Sequence, residues 1–303
     1  MICSKKPISL RLIEYFYRLP IFYNKTDSIA LCCIAKCEND YILEFVDYYF
    51  SIGVDKIYIY DNNAVDGESL QDVMFDYVSK GKCEIINFRG KKVCQLAAYQ
   101  DCYDKHSKEF GWIMFFDCDE FLVLNKHDNL REFLNRPCLK PFQLIHINWM
   151  VYGDSDLLYN DGRPMMQRFT KPVLPLDFKY RSNFPENNHI KTILRGGLKN
   201  VRWIHTSHDA IVDYYRCCNA SGIECDPNSA VSDFDHSVAY LRHFYTKTIS
   251  EWIEIKQKRG YPDHEDGENG ITADIESFFK INKKTKEKEA ILNEFSLRSN
   301  TNL

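Results

Sequence analysis

Residues Trp112-Ile-Met-Phe-Phe-Asp117-Cys118-Asp119-Glu120-Phe-Leu-Val-Leu124 place three carboxylates directly after an apolar run. The run is short, aromatic and entered from Gly111, which reads as a buried strand covered on both faces, as in a parallel sheet. In open α/β sheets ligands bind outside the carboxyl ends of the strands, so Asp117, Asp119 and Glu120 stand at the expected crevice. If the strand continues that far, Asp117 and Asp119 share one side, because alternate residues of a strand share a face.

Two aspartates held on one side suit a hard divalent cation, Mn²⁺ or Mg²⁺, with open positions for phosphate oxygens. A sugar nucleotide is a natural guest for such a site. The spacing alone is weak, since Asp154-Ser-Asp156 and Asp233-Phe-Asp235 share it and read as loop aspartates. Context separates the first copy: adjacent carboxylates behind five apolar residues are costly to bury unless a cation or hydrogen bonds compensate.

Working outward, the Ile-Ala-Leu-Cys-Cys-Ile-Ala run after Ser28 predicts a first buried strand. Asn39 or Asp40 then caps a helix that turns Phe45, Tyr48, Tyr49 and Ile52 to the sheet and closes at Gly53. A second strand from Lys56 ends in Asp61-Asn62-Asn63, completing a βαβ unit. A helix over Leu70 to Val78, a third strand over Cys83 to Phe88 and a helix with Leu96, Tyr99 and Tyr103 on one face precede the aspartate strand. Alternating strands and helices predict an α/β fold. Beyond Leu124 the pattern loosens into strand-like pieces at Phe142 to Trp149, Lys191 to Leu194 and Val201 to His205. The predicted organisation is an amphipathic extension over 1–27, a main domain over 28–260 that divides at 124, and a helical, lysine-rich tail over 261–303. Within that tail Arg259 to Gly270 opens as a surface loop, and the polar end is expected to be mobile.

The chain has 303 residues, 45% hydrophobic and 27% charged, enough for a substantial core. Its net charge of −4, without a long basic block, argues against a general nucleic-acid surface. No stretch is long and apolar enough to span a bilayer, and no secretory leader is read at the N-terminus, so the expected location is cytoplasmic. The amphipathic start and the lysines at 280, 283, 284, 286 and 288 add a peripheral membrane contact as a hypothesis. Twelve cysteines, scattered and without a Cys-x-x-Cys spacing, indicate a reducing compartment and buried thiols, not a zinc ribbon or thioredoxin-like pair.

Several motifs occur in order. They are Ile34-Ala35-Lys36-Cys37-Glu38-Asn39 with Tyr41-Ile-Leu-Glu-Phe, then Gly53 through Asp61-Asn62, Gln95 with Ala98-Tyr99, and Phe116-Asp117-Cys118-Asp119-Glu120-Phe121. Trp149 with Tyr152-Gly153, Lys191 with Arg195, His205, His243-Phe-Tyr-Thr-Lys247 and Lys258-Arg259-Gly260 follow. In this order the chain resembles nucleotide-sugar glycosyltransferases of the GT-A fold, specifically glycosyltransferase family 92 and its bacterial family-2-like relatives. The resemblance implies a mostly parallel, Rossmann-like sheet flanked by helices with a helical C-terminal extension.

By resemblance, Lys36, Glu38, Asp61, Asn62 and Gln95 receive the donor nucleoside, and Asp117 and Asp119 hold the cation against its diphosphate. Cys118 lies within this donor segment, its thiol expected to turn into packing. His205 is the implied third metal ligand, with His208 its rival. Lys191, Arg195 and Lys247 are candidates to neutralise the diphosphate. Trp149, Tyr152 and Glu120 are candidates for the acceptor side, where an aromatic ring can stack on a sugar. Inversion at the anomeric carbon needs one base, for which Glu186, Asp209 and Asp213 are the choices. The implied activity is metal-dependent transfer of a sugar from a UDP-sugar to a hydroxyl of a glycan or lipid-linked acceptor, in bacterial surface polysaccharide or lipopolysaccharide synthesis. The competing readings are a nucleotidyltransferase, whose glycine-rich basic loop after the first strand is missing at Lys36-Cys37-Glu38-Asn39-Asp40, and a catalytically silent carbohydrate-binding relative.

Overall fold

Four parallel strands carry the first half of the chain: β1 (Ile29–Ala35), β2 (Lys56–Asp61), β3 (Cys83–Asn87) and β4 (Trp112–Phe115). The structure, a computed structural model, describes residues 12, 15, 26–173, 185–203, 210–212, 214–256 and 275–301. The strand order is β3-β2-β1-β4, so the chain moves one way from β1 and returns to its other side for β4. That reversal opens a crevice at the carboxyl ends of β1 and β4. Every residue of both strands is buried, as their uninterrupted apolar runs require. Leu31, Cys33 and Met114 pack on one face with Ile42, Phe45 and Val46 of the helix Ile42–Ser51. Ala30, Cys32, Ile113 and Phe115 pack on the other with Ala98, Tyr99 and Cys102 of the helix Gln95–His106. The α/β expectation therefore holds.

The second half enters the same sheet. β5 (Glu120–Leu124) follows the aspartates, and β6 (Leu144–Val151) and β7 (Ile190–Arg195) extend the sheet beyond β4, with β7 antiparallel to both β4 and β6. β8 (Val201–Arg202) and β9 (Ile211–Val212) form a separate ribbon. β10 (Cys217–Asn219) runs parallel to β6 and carries β11 (Glu224–Cys225) at the edge. β12 (Ala239–His243) lies between β5 and β6, setting His243 opposite Glu120 on one side and Val151 on the other.

Four local expectations are corrected. The stretch Trp112 to Leu124 is two strands, because the Asp117 N–H donates to Glu120 Oε2 at 2.9 Å and Glu120 N–H donates to the Asp117 carbonyl at 3.0 Å, which turns the chain. Asp117 and Asp119 thus sit on a turn and do not share a strand face. The helix after β1 has Tyr41 at its N-cap with no side-chain cap, while the Asn39 amide donates to the Ser69 carbonyl at 3.2 Å. The helix over Leu70 to Val78 is two short pieces, Leu70–Val73 and Phe75–Ser79. The polar C-terminus is a helix, Lys286–Thr301, joined to Ile275–Ile281. Phe278 and Ile291 pack on Ile249 and Trp252, and buried Lys288 pairs with buried Asp154. Of the N-terminal extension Leu12, Tyr15, Thr26 and Asp27 are described, Leu12 and Tyr15 being helical and exposed. The loop Arg259 to Gly270 lies outside the described residues.

Candidate active site

Asp117 anchors the crevice. Its Oδ1 accepts from Gln95 Nε2 and from the Tyr99 hydroxyl, each at 2.9 Å, and its Oδ2 accepts from Lys191 Nζ at 2.7 Å. Gln95 and Tyr99 are one helical turn apart, so the first turn of Gln95–His106 presents both to the same carboxylate. Lys191 is fully buried in mid-β7, and its ammonium also lies 3.7 Å from Glu120 Oε1. Burial pulls the lysine down, but Asp117 and Glu120 together hold it above its usual range. Burial likewise works against ionised Asp117, yet Lys191 keeps that carboxyl below its usual range. Glu120, wholly buried, is pushed well above its ordinary range, first by burial and then by Asp117 and Asp119, with Lys191 opposing. The arrangement is an Asp117–Lys191 ion pair beside Glu120, whose carboxyl burial pushes toward the protonated form.

Asp119 turns elsewhere. Its Oδ1 lies 3.6 Å from His243 Nε2, and both side chains are nearly buried. The Phe244 N–H donates to the Asp119 carbonyl at 2.9 Å, fixing the end of β12 against the turn. Trp149 packs on the His243 ring with centroids 4.2 Å apart, and His189 packs on Trp149 at 5.2 Å. Asp119 and His243 are an oxygen and an imidazole donor converging at a strand-end crevice, which fits Mn²⁺ or Mg²⁺ bound with further oxygens. Asp117, with each oxygen already engaged, orients the turn.

At the edge the sequence reading assigns to the nucleotide, Glu38 Oε2 is 3.3 Å from Lys247 Nζ, and that ammonium lies 3.7 Å from the centroid of the Tyr41 ring. Both charges are nearly buried, Lys247 having φ +53°. The Tyr41 hydroxyl donates to Glu251 at 2.6 Å, and Arg168 grips the same carboxylate with two bonds of 2.9 Å. Asp61 Oδ2 accepts from Arg89 at 2.8 Å and its Oδ1 from the Asn63 N–H at 3.0 Å. Asn62 donates to the carbonyls of Phe88 and Lys91 at 3.1 and 2.8 Å. Lys36 sits half-buried directly after β1. Cys118 turns inward as expected, its sulfur 3.9 Å from the Ile34 carbonyl.

The remaining expected residues divide. Glu120 and Tyr152 are buried, Tyr152 against Phe244 and beneath Arg242, so neither offers a face to a sugar. Trp149 does reach the site. Arg195 stacks on Trp112 at 4.0 Å, at the opposite end of β4 from Asp117, and cannot serve a diphosphate there. Glu186 begins the turn Pro185–Asn188, and its charge reaches His189 beside Trp149. His205, His208, Asp209 and Asp213 lie outside the described residues. Sequence reasoning quoted His243 and Tyr99 in its motifs but gave them no role, and did not name Arg89 or Arg168. His243 had the same signal that favoured His205, a histidine closing an apolar strand, and Tyr99 was one helical turn beyond Gln95.

The profile of glycosyltransferase family 92 matches residues 30–263. A glycosyltransferase family 92 protein of Ricinus communis is 28% identical over 247 residues, covering 79% of this chain and 41% of that protein. Another, of Oryza sativa subsp. japonica, is 25% identical over 118 residues, covering 39% of this chain and 20% of its own length. The chain thus spans less than half the length of these plant relatives. Among solved structures, S. aureus TarS has a TM-score of 0.35 at 11% identity, covering 55% of this chain and 47% of that one. The mannosyltransferase PcManGT from Pyrobaculum calidifontis, in complex with GDP-Man and Mn²⁺, has a TM-score of 0.29 at 8% identity, covering 46% and 45%.

Proposed function

The chain belongs to glycosyltransferase family 92, and from that premise we propose that it transfers a sugar from a nucleotide-sugar donor, with UDP as the nucleotide, to a hydroxyl of a glycan or lipid-linked acceptor. The observation that supports this most is the meeting of Asp119 and His243 at the carboxyl end of β4, beside the Glu38–Lys247 pair that follows β1. A divalent cation, if bound there, would be held by Asp119 and His243 and would supply Lewis-acid stabilisation to a departing diphosphate. Asp119 and His243 hold that position, while Asp117, tied to Gln95, Tyr99 and Lys191, keeps the turn from moving as charge develops. Lys247, nearly buried and paired with Glu38, is a cation on the side read as the donor's, with its field little screened by water.

On the acceptor side Trp149 offers a ring, and Glu186 is the described candidate for the base that takes the acceptor proton, Asp209 being the other. The reaction is read as inverting. Synthesis of a surface polysaccharide on the cytoplasmic side, with or without membrane contact, follows from the sequence resemblance alone. Buried Lys288 leaves fewer of the C-terminal lysines for an anionic surface.

The test is a panel of UDP- and GDP-sugars assayed for slow donor hydrolysis and for transfer to simple glycosides, with Mn²⁺ or Mg²⁺. One UDP-sugar should be turned over, and proton NMR of the product should show the anomeric configuration inverted. Glu186→Gln and Asp209→Asn then separate the two bases: the correct one lowers kcat by about 10²–10⁴-fold with little change in KM. Absence of turnover and binding across the panel would remove the transferase reading.

A further inference from the structure

Away from the crevice, on the opposite face of the sheet from Ile145 and Ile147, three soft donors meet. His146 comes from β6, Cys217 from β10 and Cys225 from β11. Cys217 and Cys225 stand in register across the antiparallel pair with their sulfurs 3.4 Å apart, and Cys225 Sγ lies 3.7 Å from His146 Nδ1. Their donor atoms all fall within 4.8 Å of one another. Tetrahedral zinc with Zn–S near 2.3 Å and Zn–N near 2.0 Å needs edges of about 3.8 Å between sulfurs and about 3.5 Å between sulfur and nitrogen. The two edges that meet at Cys225, 3.4 and 3.7 Å, are within a few tenths of an ångström of those values, and the third, between Cys217 and His146, is no longer than 4.8 Å.

The bland alternative is a core histidine and two packed thiols. A buried histidine is ordinarily satisfied by hydrogen bonds, but His146 is fully buried, and among the described residues its Nε2 has no hydrogen-bond partner while its Nδ1 lies against the Cys225 sulfur.

We propose that His146, Cys217 and Cys225 form a zinc site that pins the β10–β11 edge to β6, with the half-exposed side of Cys225 leaving a fourth position to solvent. Two thiolates and an imidazole select a borderline-soft cation over Mn²⁺ or Mg²⁺, so this site and the crevice would not compete for the same ion.

The experiment uses the full chain, purified under a phosphine reductant and equilibrated with Zn²⁺ or Co²⁺. Metal analysis after desalting should give stoichiometric zinc in the native chain and background levels in Cys225→Ser. The cobalt form should show a thiolate-to-metal charge-transfer band in the near ultraviolet, which carboxylate and imidazole ligands do not give. That band should persist in Asp119→Ala and vanish in Cys225→Ser, while His146→Gln should weaken or shift it. Zinc should also raise the thermal unfolding midpoint of the native chain and not that of Cys225→Ser. Absence of zinc and of the band in the folded native chain would overturn the proposal. So would a band unchanged in Cys225→Ser, or a Cys217–Cys225 disulfide as the resting state in peptide maps of freshly isolated protein.

Discussion

Lys191 and Glu120 look like donor and acceptor residues in the sequence, yet both are completely buried and face Asp117. Their energetics differ. Lys191→Met would leave Asp117 without its counter-ion; because the Asp117 side chain is 31% exposed, the expected cost lies below the about 3–5 kcal/mol of a fully buried pair. Burial pushes the Glu120 carboxyl toward its neutral form, which Gln mimics, so Glu120→Gln should cost far less. Urea unfolding of both variants checks this, and equal losses would contradict the assignment of charge. The pH dependence has a definite sign. A carboxyl raised in the folded state contributes stability below its unfolded value of about 4.5 and loses it as pH rises, so Glu120→Gln should gain on the native chain from pH 4.5 upward. Unfolding midpoints of the two chains across that range give the comparison.

At the scale of elements, the crevice depends on how strand ends are tied together. Glu251 closes the capping box of Ile249–Glu251 with Thr248, receives the Tyr41 hydroxyl and binds Arg168 with two bonds. It thereby joins the helix Met165–Arg168, the start of Ile42–Ser51 and the segment carrying Lys247. Burial raises the Glu251 carboxyl, but the Arg168 bonds outweigh it and hold it below its usual range. Stability from Glu251 is therefore present above about pH 4.5 and lost on acidification. Arg168→Met should cost about 3–5 kcal/mol near neutral pH and flatten this part of the acid limb of a stability profile. A second constraint is steric: a Cβ on Gly196 would lie 1.9 Å from the Phe110 carbonyl oxygen, so the end of β7 and the entry to β4 require a bare backbone there. Gly196→Ala is expected to destabilise by roughly 1–3 kcal/mol, read from denaturant midpoints.

On the scale of the whole molecule, the parallel half was legible because each of its strands is an apolar run between turn residues, and the helix between β1 and β2 is amphipathic. The break at Asp117 was not, since apolar residues continue on both sides of the carboxylates and only the reciprocal bonds between Asp117 and Glu120 turn the chain. Asp117 and Asp119 were singled out by their place after an apolar strand, and Glu38 and Asp61 by the family resemblance. His243 escaped because its site forms only when β12 inserts between β5 and β6, a pairing that no local pattern encodes. The same reason hid the sulfur cluster, whose Cys225 and His146 are 79 residues apart.

The most direct test of the Asp119–His243 site is Mn²⁺ binding in the presence of UDP, followed by calorimetry or by the loss of the free Mn²⁺ paramagnetic signal. The native chain and Cys225→Ser should bind alike, whereas Asp119→Asn and His243→Ala should each lose most of the affinity while keeping the native unfolding midpoint within a few degrees. Full Mn²⁺ affinity in a folded His243→Ala chain would contradict the pairing of these two residues as the cation's protein ligands.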